Sequence, residues 1–305
     1  MADPQRIAIV GLGLIGGSLS LALRRSRPGL RIIGVDVDVR AREQALEEGA
    51  VDAGASLEDA PLEVCDVVVL GTPAQPLLEM LPVVAARMAP GAVLTDVCGA
   101  KERVCEAGAR QDRVVFVGAH PMAGTEYRGF VAANPALFTG STVAVCPPVG
   151  ASDERARREA GTRVRALWIA AGAEKLLDVE PAKHDRAVTF ASHLPYLAAA
   201  SIVESLLSAG DAAALARELA AGGFRDTTRL AGDGTVGGAA ALNRFIPEEA
   251  RALAQRLRAL ADEIDEDPAR ALDRLGRLAD ERRRMRMPAV VGTSTAPLIR
   301  PARSP

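Results

Sequence analysis

Aromatic residues are scarce in this 305-residue sequence: one Trp, two Tyr and six Phe, 3% of the chain. So few rings offer little on which nucleic-acid bases could stack. The 37 Lys+Arg against 39 Asp+Glu leave a formal net charge of -2, so no basic footprint exists and no nucleic-acid partner is expected. The four cysteines, Cys65, Cys98, Cys105 and Cys146, contain no C-x-x-C pair. That removes the usual spacing of a zinc site and of a disulfide framework, and no metal is expected. No run of about 18 apolar residues is free of charge, so no membrane span is expected. No charged segment with a long apolar stretch precedes the strand-like Ile7–Val10, and a cytoplasmic location is the expectation. Histidine is scarce as well: only His120, His184 and His193. Any chemistry that needs an imidazole near neutral pH must draw on these three.

What is present suits a folded, two-domain chain. Hydrophobic residues make up 49%, enough for a sizeable core at this length. Strand-like runs at Arg6–Val10, Arg31–Val35, Glu63–Leu70, Ala92–Asp96, Val114–Gly118 and Ser141–Val145 alternate with helical stretches. Near-continuous apolar strands separated by helices predict a mostly parallel sheet covered on both faces. Composition shifts at the breaker-rich Pro147-Pro148-Val149-Gly150, read as a linker. The expectation is therefore an α/β domain over 1–147 and an all-helical domain over 152–287. The proline-rich stretch 288–305 has no periodicity, and a disordered tail is expected there.

Gly11-Leu12-Gly13-Leu14-Ile15-Gly16 is a G-x-G-x-x-G between a predicted strand and a predicted helix. The first glycine permits the tight turn, the second lets the backbone approach a pyrophosphate, and the third allows close helix–strand packing. With Asp36 at the end of the next strand to accept hydrogen bonds from a ribose diol, the segment reads as a Rossmann-type site for NAD rather than NADP. Leu14 and Ile15 belong to that loop. Thr72-Pro73 leaves another strand at the carboxyl edge, where open α/β sheets bind ligands, and joins the cofactor candidates. His120 stands at a strand end, followed by Pro121 and a glycine-containing loop. That setting holds it toward the crevice and makes it the candidate catalytic base.

The segments His120-Pro-Met-Ala-Gly-Thr-Glu126, His184-Asp185, Ser192-His193-Leu194-Pro195 and Gly223-Phe-Arg-Asp-Thr-Thr-Arg229 resemble the prephenate/arogenate dehydrogenase family of tyrosine biosynthesis. The resemblance extends over nearly the whole chain to about Asn243. It implies NAD-dependent oxidative decarboxylation of prephenate or arogenate, with His120 as the base. It implies Arg229 as a cationic fork for a substrate carboxylate, with Lys101, His193 and Tyr196 as further substrate-side residues. Arg225, one helical turn before Arg229, is equally a solvated helix arginine. On one unbroken helix His184 and His193 would lie on nearly opposite faces, so His184 is expected in helix entry or domain packing.

The chain departs from the family pattern at three places. Gly99 stands where a serine ordinarily orients the histidine, so water or another group must fix the imidazole. Tyr196 replaces a frequent second histidine, and a phenol carries no positive charge at neutral pH. Gly232–Gly238 is glycine-rich where a Trp-containing helix start is common. The alternatives are another two-domain dehydrogenase of the β-hydroxyacid or pyrroline-carboxylate type, or a non-catalytic NAD-binding protein. The apolar helical half is expected to form a homodimer.

Overall fold

The computed structural model describes residues 5–125, 127–150 and 153–285; the expected tail 288–305 lies outside them. Five parallel strands and their helices come first: β1 (Arg6–Val10), α1 (Leu14–Ser26), β2 (Arg31–Val35), α2 (Val39–Glu47), β3 (Ala53–Ala55), β4 (Val67–Leu70), α3 (Ala74–Arg87) and β5 (Val93–Asp96). Then come α4 (Glu102–Ala109), β6 (Val115–Val117), β7 (Ala119–Pro121), β8 (Thr142–Val145), β9 (Val149–Gly150), α5 (Glu154–Ala170) and β10 (Lys175–Asp178). The main sheet runs β3-β2-β1-β4-β5-β6-β9, all parallel except the short β9 edge. A smaller sheet runs β10-β8-β7.

Side-chain alternation explains why both faces are covered. Ile7 and Ile9 of β1 pack with Val67 and Val69 of β4 into one core layer, under α1 and α5. Ala8 and Val10 pack with Val68 and Leu70 into the other, under α3. A strand that buries successive residues on opposite faces must be apolar throughout.

The expected boundary at 147–152 is corrected. Val164, Leu167 and Trp168 of α5 are buried in the first core layer, and β10 pairs in parallel with β8 from Lys175 to Asp178. The first unit therefore continues to about Asp178. The Pro147–Gly150 breakers form the turn into β9, an edge strand rather than a linker.

The helical half comprises α6 (Pro181–Val188), a π-turn (Thr189–His193), α7 (Leu194–Leu207), α8 (Ala212–Leu219), α9 (Gly222–Thr228), a 3-10 turn (Arg229–Gly232), α10 (Gly234–Leu242), α11 (Ile246–Glu266) and α12 (Pro268–Arg284). Pro195 lies in the first turn of α7 and has no N–H to give to the preceding turn. The backbone there widens to the π form, as it often does at functional positions. This underwound turn lies between His184 and His193, so the two side chains lose the angular separation that a regular helix would impose.

Candidate active site

The glycine loop has the shape its sequence predicts. Gly11 adopts φ +95, and a Cβ there would lie 2.8 Å from the Gly71 backbone. A Cβ on Gly16 would lie 1.9 Å from the Gly11 oxygen, whereas Gly13 faces open space. Only glycine fits the first and third positions, and the second leaves room for a phosphate to approach. The first turn of α1 carries no acidic residue and no side-chain cap, so its N–H groups remain available to an anion. Asp36 Oδ2 accepts from Leu12 N at 2.7 Å and Oδ1 from Asp38 N at 2.9 Å. These bonds seat the carboxylate beside the loop. A cleft of about 320 Å³ opens there, lined by Leu12, Gly13, Asp36, Arg40, Phe130 and Val131. Thr72 abuts Gly11 from the neighbouring strand end, and Pro73 starts α3. Loop, carboxylate and cleft suit the adenosine and pyrophosphate of a dinucleotide.

His120, in the middle of β7, is half-buried at the carboxyl edge of the sheet region. Its Nδ1 lies 2.9 Å from His184 Nε2, and His184 Nδ1 lies 2.8 Å from Asp185 Oδ1. Asp185 also accepts from the backbone N–H of Lys101 at 2.7 Å and of Glu102 at 2.9 Å, at the start of α4. Burial pushes the Asp185 carboxyl up, but these donors and His184 outweigh it and hold the group below the usual carboxylate range. A carboxylate at the end of the line fixes the order of protons. His184 donates from Nδ1 to Asp185, so its Nε2 accepts from His120 Nδ1–H. His120 Nε2 is left with its lone pair, on the side toward Gly99. Burial first, and then the neighbouring His184, Lys101 and His193, keep His120 well below an ordinary imidazole. An imidazole held in that state keeps a lone pair able to accept a proton.

Lys101 could hold either substrate or the loop, and the structure encloses it as a strut of the loop. Its side chain is fully buried, ion-paired with Asp96 and bonded to the Ala119 carbonyl at 2.9 Å. Asp96 in turn accepts from Ala119 N at 3.1 Å. The pair therefore grips both polar groups of the residue before His120. Burial works against the ammonium, but Asp96 beside it raises its pKa on balance.

The π-turn also brings His193 inward, to 1% exposure. Its Nδ1 lies 3.0 Å from Asn243 Nδ2, at the end of α10. Burial takes its pKa down to about 4, with His184 adding to the shift and Asp185 opposing it. Helix α10 forms a wall beside the site because its residues are small. A Cβ on Gly237 would lie 2.8 Å from the Tyr196 hydroxyl, and a Cβ on Gly99 would lie 3.1 Å from Ala239 and 3.5 Å from His120 Nε2. The glycine-rich stretch is thus a helix packed tightly against Tyr196 and Gly99. Tyr196 is half-buried one turn after His193, and Arg229 is exposed at the start of its 3-10 turn. Arg225 pairs with Asp226 at 3.4 Å on the surface.

From the sequence, His184 reads as a packing residue, and Asp185, Asp96 and Asn243 receive no role of their own. The signal available for the first two is their adjacency. A carboxylate beside a histidine is a ready orienting group, but helical periodicity without a π-turn turns it away from the site.

Family models described as "Prephenate dehydrogenase, nucleotide-binding domain" and "Prephenate dehydrogenase, dimerization domain" match residues 19–174 and 180–266. The chain belongs to the prephenate dehydrogenase family. The gap between the two matched segments coincides with the boundary after β10. Among prephenate dehydrogenase relatives, that of Bacillus subtilis is 32% identical over 228 residues, 74% of this chain and 60% of the relative. The match to that of Lactococcus lactis covers 61% of the relative, so the matched region spans about three-fifths of both. The crystal structure of Synechocystis arogenate dehydrogenase is 31% identical, with a TM-score of 0.70 over 92% of this chain and 99% of that one. Prephenate dehydrogenase from A. aeolicus, solved in complex with hydroxyphenyl propionate and NAD+, is 25% identical with a TM-score of 0.79 over 93% of this chain and 99% of that one. Within the prephenate dehydrogenase fold, His120, His184 and Asp185 thus bridge the two domains.

Proposed function

We propose that the chain catalyses the NAD-dependent oxidative decarboxylation of prephenate to 4-hydroxyphenylpyruvate, or of arogenate to tyrosine, as a cytoplasmic enzyme. The observation that carries this reading is the line His120–His184–Asp185, which leaves the His120 Nε2 lone pair on the side toward Gly99. Gly11, Gly13, Gly16 and Asp36 would hold NAD, with Leu14, Ile15, Thr72 and Pro73 around them. When bound, NAD supplies the acceptor for the hydride of the ring carbinol.

The chain's own residues manage the proton. His120 Nε2 takes the hydroxyl proton as the carbinol is oxidised, and positive charge develops on the ring. His184 accepts from Nδ1 and passes the polarisation to the Asp185 carboxylate, which steadies that charge at fixed distance. Loss of CO2 leaves an aromatic phenolate oxygen, and the proton on Nε2 returns to it. Proton and electron pair then balance without an added acid. Arg229 offers a guanidinium fork to a substrate carboxylate, and Tyr196 a hydroxyl donor.

The same reading extends to assembly as a homodimer through the helical half. The segment 181–207 is apolar enough by length and composition to cross a bilayer, and only 11% of its most apolar window is buried. It also carries Asp185, His184 and His193 on its inner side, so its outer apolar face suits a second copy better than lipid. The test of the activity is NADH formation with prephenate, with arogenate and with a panel of hydroxyacids. Turnover of a hydroxyacid alone would overturn it.

A further inference from the structure

Asn243 closes α10 and is 2% exposed. Its amide orientation is settled by its neighbours. Oδ1 accepts from Phe245 N at 3.0 Å, so Nδ2 faces the Asp185 carbonyl at 2.8 Å, Thr189 Oγ1 at 3.0 Å and His193 Nδ1 at 3.0 Å. Thr189 spends its own proton on the Asp185 carbonyl, at 2.7 Å, and therefore receives rather than gives toward Asn243. An amide nitrogen has no lone pair to offer. A proton on His193 Nδ1 would meet it donor to donor.

We propose that Asn243 is a positioning residue that holds His193 as the Nε2–H tautomer, a neutral hydrogen-bond donor to the substrate anion. The proposal rests on the function given above for its substrate half only. Three observations converge on it. The amide anchors the π-turn that turns His193 inward. Among the described residues, the hydrogen bond of the His193 ring is made at Nδ1, toward Asn243, and Nε2 is left to a ligand. His193 is close enough to His120 for its charge to be felt there, so a protonated His193 would oppose the base. A neutral donor offers the substrate a hydrogen bond without that cost. His120 and His184 carry their protons on Nδ1 and His193 on Nε2: the two histidines of the relay and the third one differ in tautomer.

Ring nitrogen and carbon resonances of histidine-labelled protein report tautomers directly, and the chain has only three histidines. The expected spectrum near neutral pH shows two Nδ1–H rings and one Nε2–H ring, the latter absent in His193→Gln. Asn243→Asp places an acceptor at Nδ1 and should convert that ring to the Nδ1–H form, with no proton left on Nε2. The same variant should raise KM roughly tenfold, as for a lost hydrogen bond to an anion, with kcat within about twofold. In a His193→Gln background the Asn243→Asp effect on KM should disappear, since the amide acts through the ring. An Nδ1–H signal for His193 in the wild type, readable even if every variant fails to fold, overturns the proposal. So does an unchanged tautomer in Asn243→Asp. Absence of turnover with prephenate and arogenate would instead remove the assigned substrate while leaving the spectrum to decide the tautomer.

Discussion

His120 Nδ1 stands 2.9 Å from His184 Nε2, although the two residues lie 64 positions apart and on different domains. Gly99 stands beside the same ring, where the family pattern places a serine. A hydroxyl there would approach His120 from the Nε2 side, whereas His184 approaches from Nδ1. Orientation from the far nitrogen leaves the near one with its lone pair free.

His120→Asn should lower kcat by about 10²–10⁴-fold, the range for loss of a positioned general base, with KM nearly unchanged. Because burial first, and then the neighbouring His184, Lys101 and His193, hold the imidazole well below 6.5, the acid limb of kcat/KM in the wild type should fall below that pH. Protonation removes the lone pair, so the rate drops as pH falls. Near wild-type kcat in the variant would dismiss His120 as the base.

Asp185→Asn tests the far end of the line. Whichever way the amide sits, an N–H is set against a donor: either Glu102 N–H, or both Lys101 N–H and His184 Nδ1–H. The negative charge that steadies a protonated His120 is lost in both cases. The expected results are a kcat lower by roughly 10- to 100-fold and a stability loss of about 1–3 kcal/mol. Steady-state kinetics and urea unfolding on one preparation would read both.

Much of this site is local and therefore legible in the sequence. The glycine loop and Asp36 each follow directly on a strand, and His120 lies shortly after β6 ends, so apolar runs locate all three. What stays hidden depends on tertiary closure. The Pro147-Pro148 breakers mark a turn into β9, not a domain edge, because α5 returns to bury Trp168 under the first sheet. Lys101 can be given a substrate or a loop role from its motif, and only the enclosing Asp96 and Ala119 carbonyl show which groups it holds. His184 and His193 fall on opposite faces only if the helix is regular, and the π-turn before Pro195 makes it irregular. Asn243 carries no spacing signal at all; its role arises from where α10 ends.

Gly99→Ser restores the family's serine beside the His120 ring and against α10. The new Cβ would lie 3.1 Å from Ala239 Cβ, closer than ordinary packing, so α10 must shift. A stability loss on the order of 1 kcal/mol is expected, with no gain in kcat because His184 already orients the ring. Adding Ala239→Gly should recover the stability. A faster, equally stable Gly99→Ser enzyme would show that the relay does not orient His120.

Asp36 should impose preference for NAD over NADP. Its carboxylate is fixed by Leu12 N–H and Asp38 N–H beside the cleft, where a 2′-phosphate would meet like charge. Asp36→Ser should narrow the kcat/KM ratio between the cofactors. A wild-type enzyme indifferent to the phosphate would contradict the assignment.

Acid sensitivity of the fold arises at His193. Its pKa is about 4 in the folded chain against an ordinary 6.5. Between those values the unfolded chain binds the proton and the folded chain does not, so stability rises with pH across that window. The group carries no penalty above about pH 6.5, loses stability progressively as pH falls, and levels off below about 4. The full difference is on the order of 3 kcal/mol. His120, shifted in the same direction by burial, adds to the slope. Unfolding free energies from urea titrations at pH 7 and pH 4.5 should therefore differ strongly in the wild type and less in His193→Gln, which has nothing to protonate at that position. Equal slopes in the two proteins would mean that His193 takes up its proton in the folded state as readily as in water. The Asn243 amide facing Nδ1 could not then be holding it neutral.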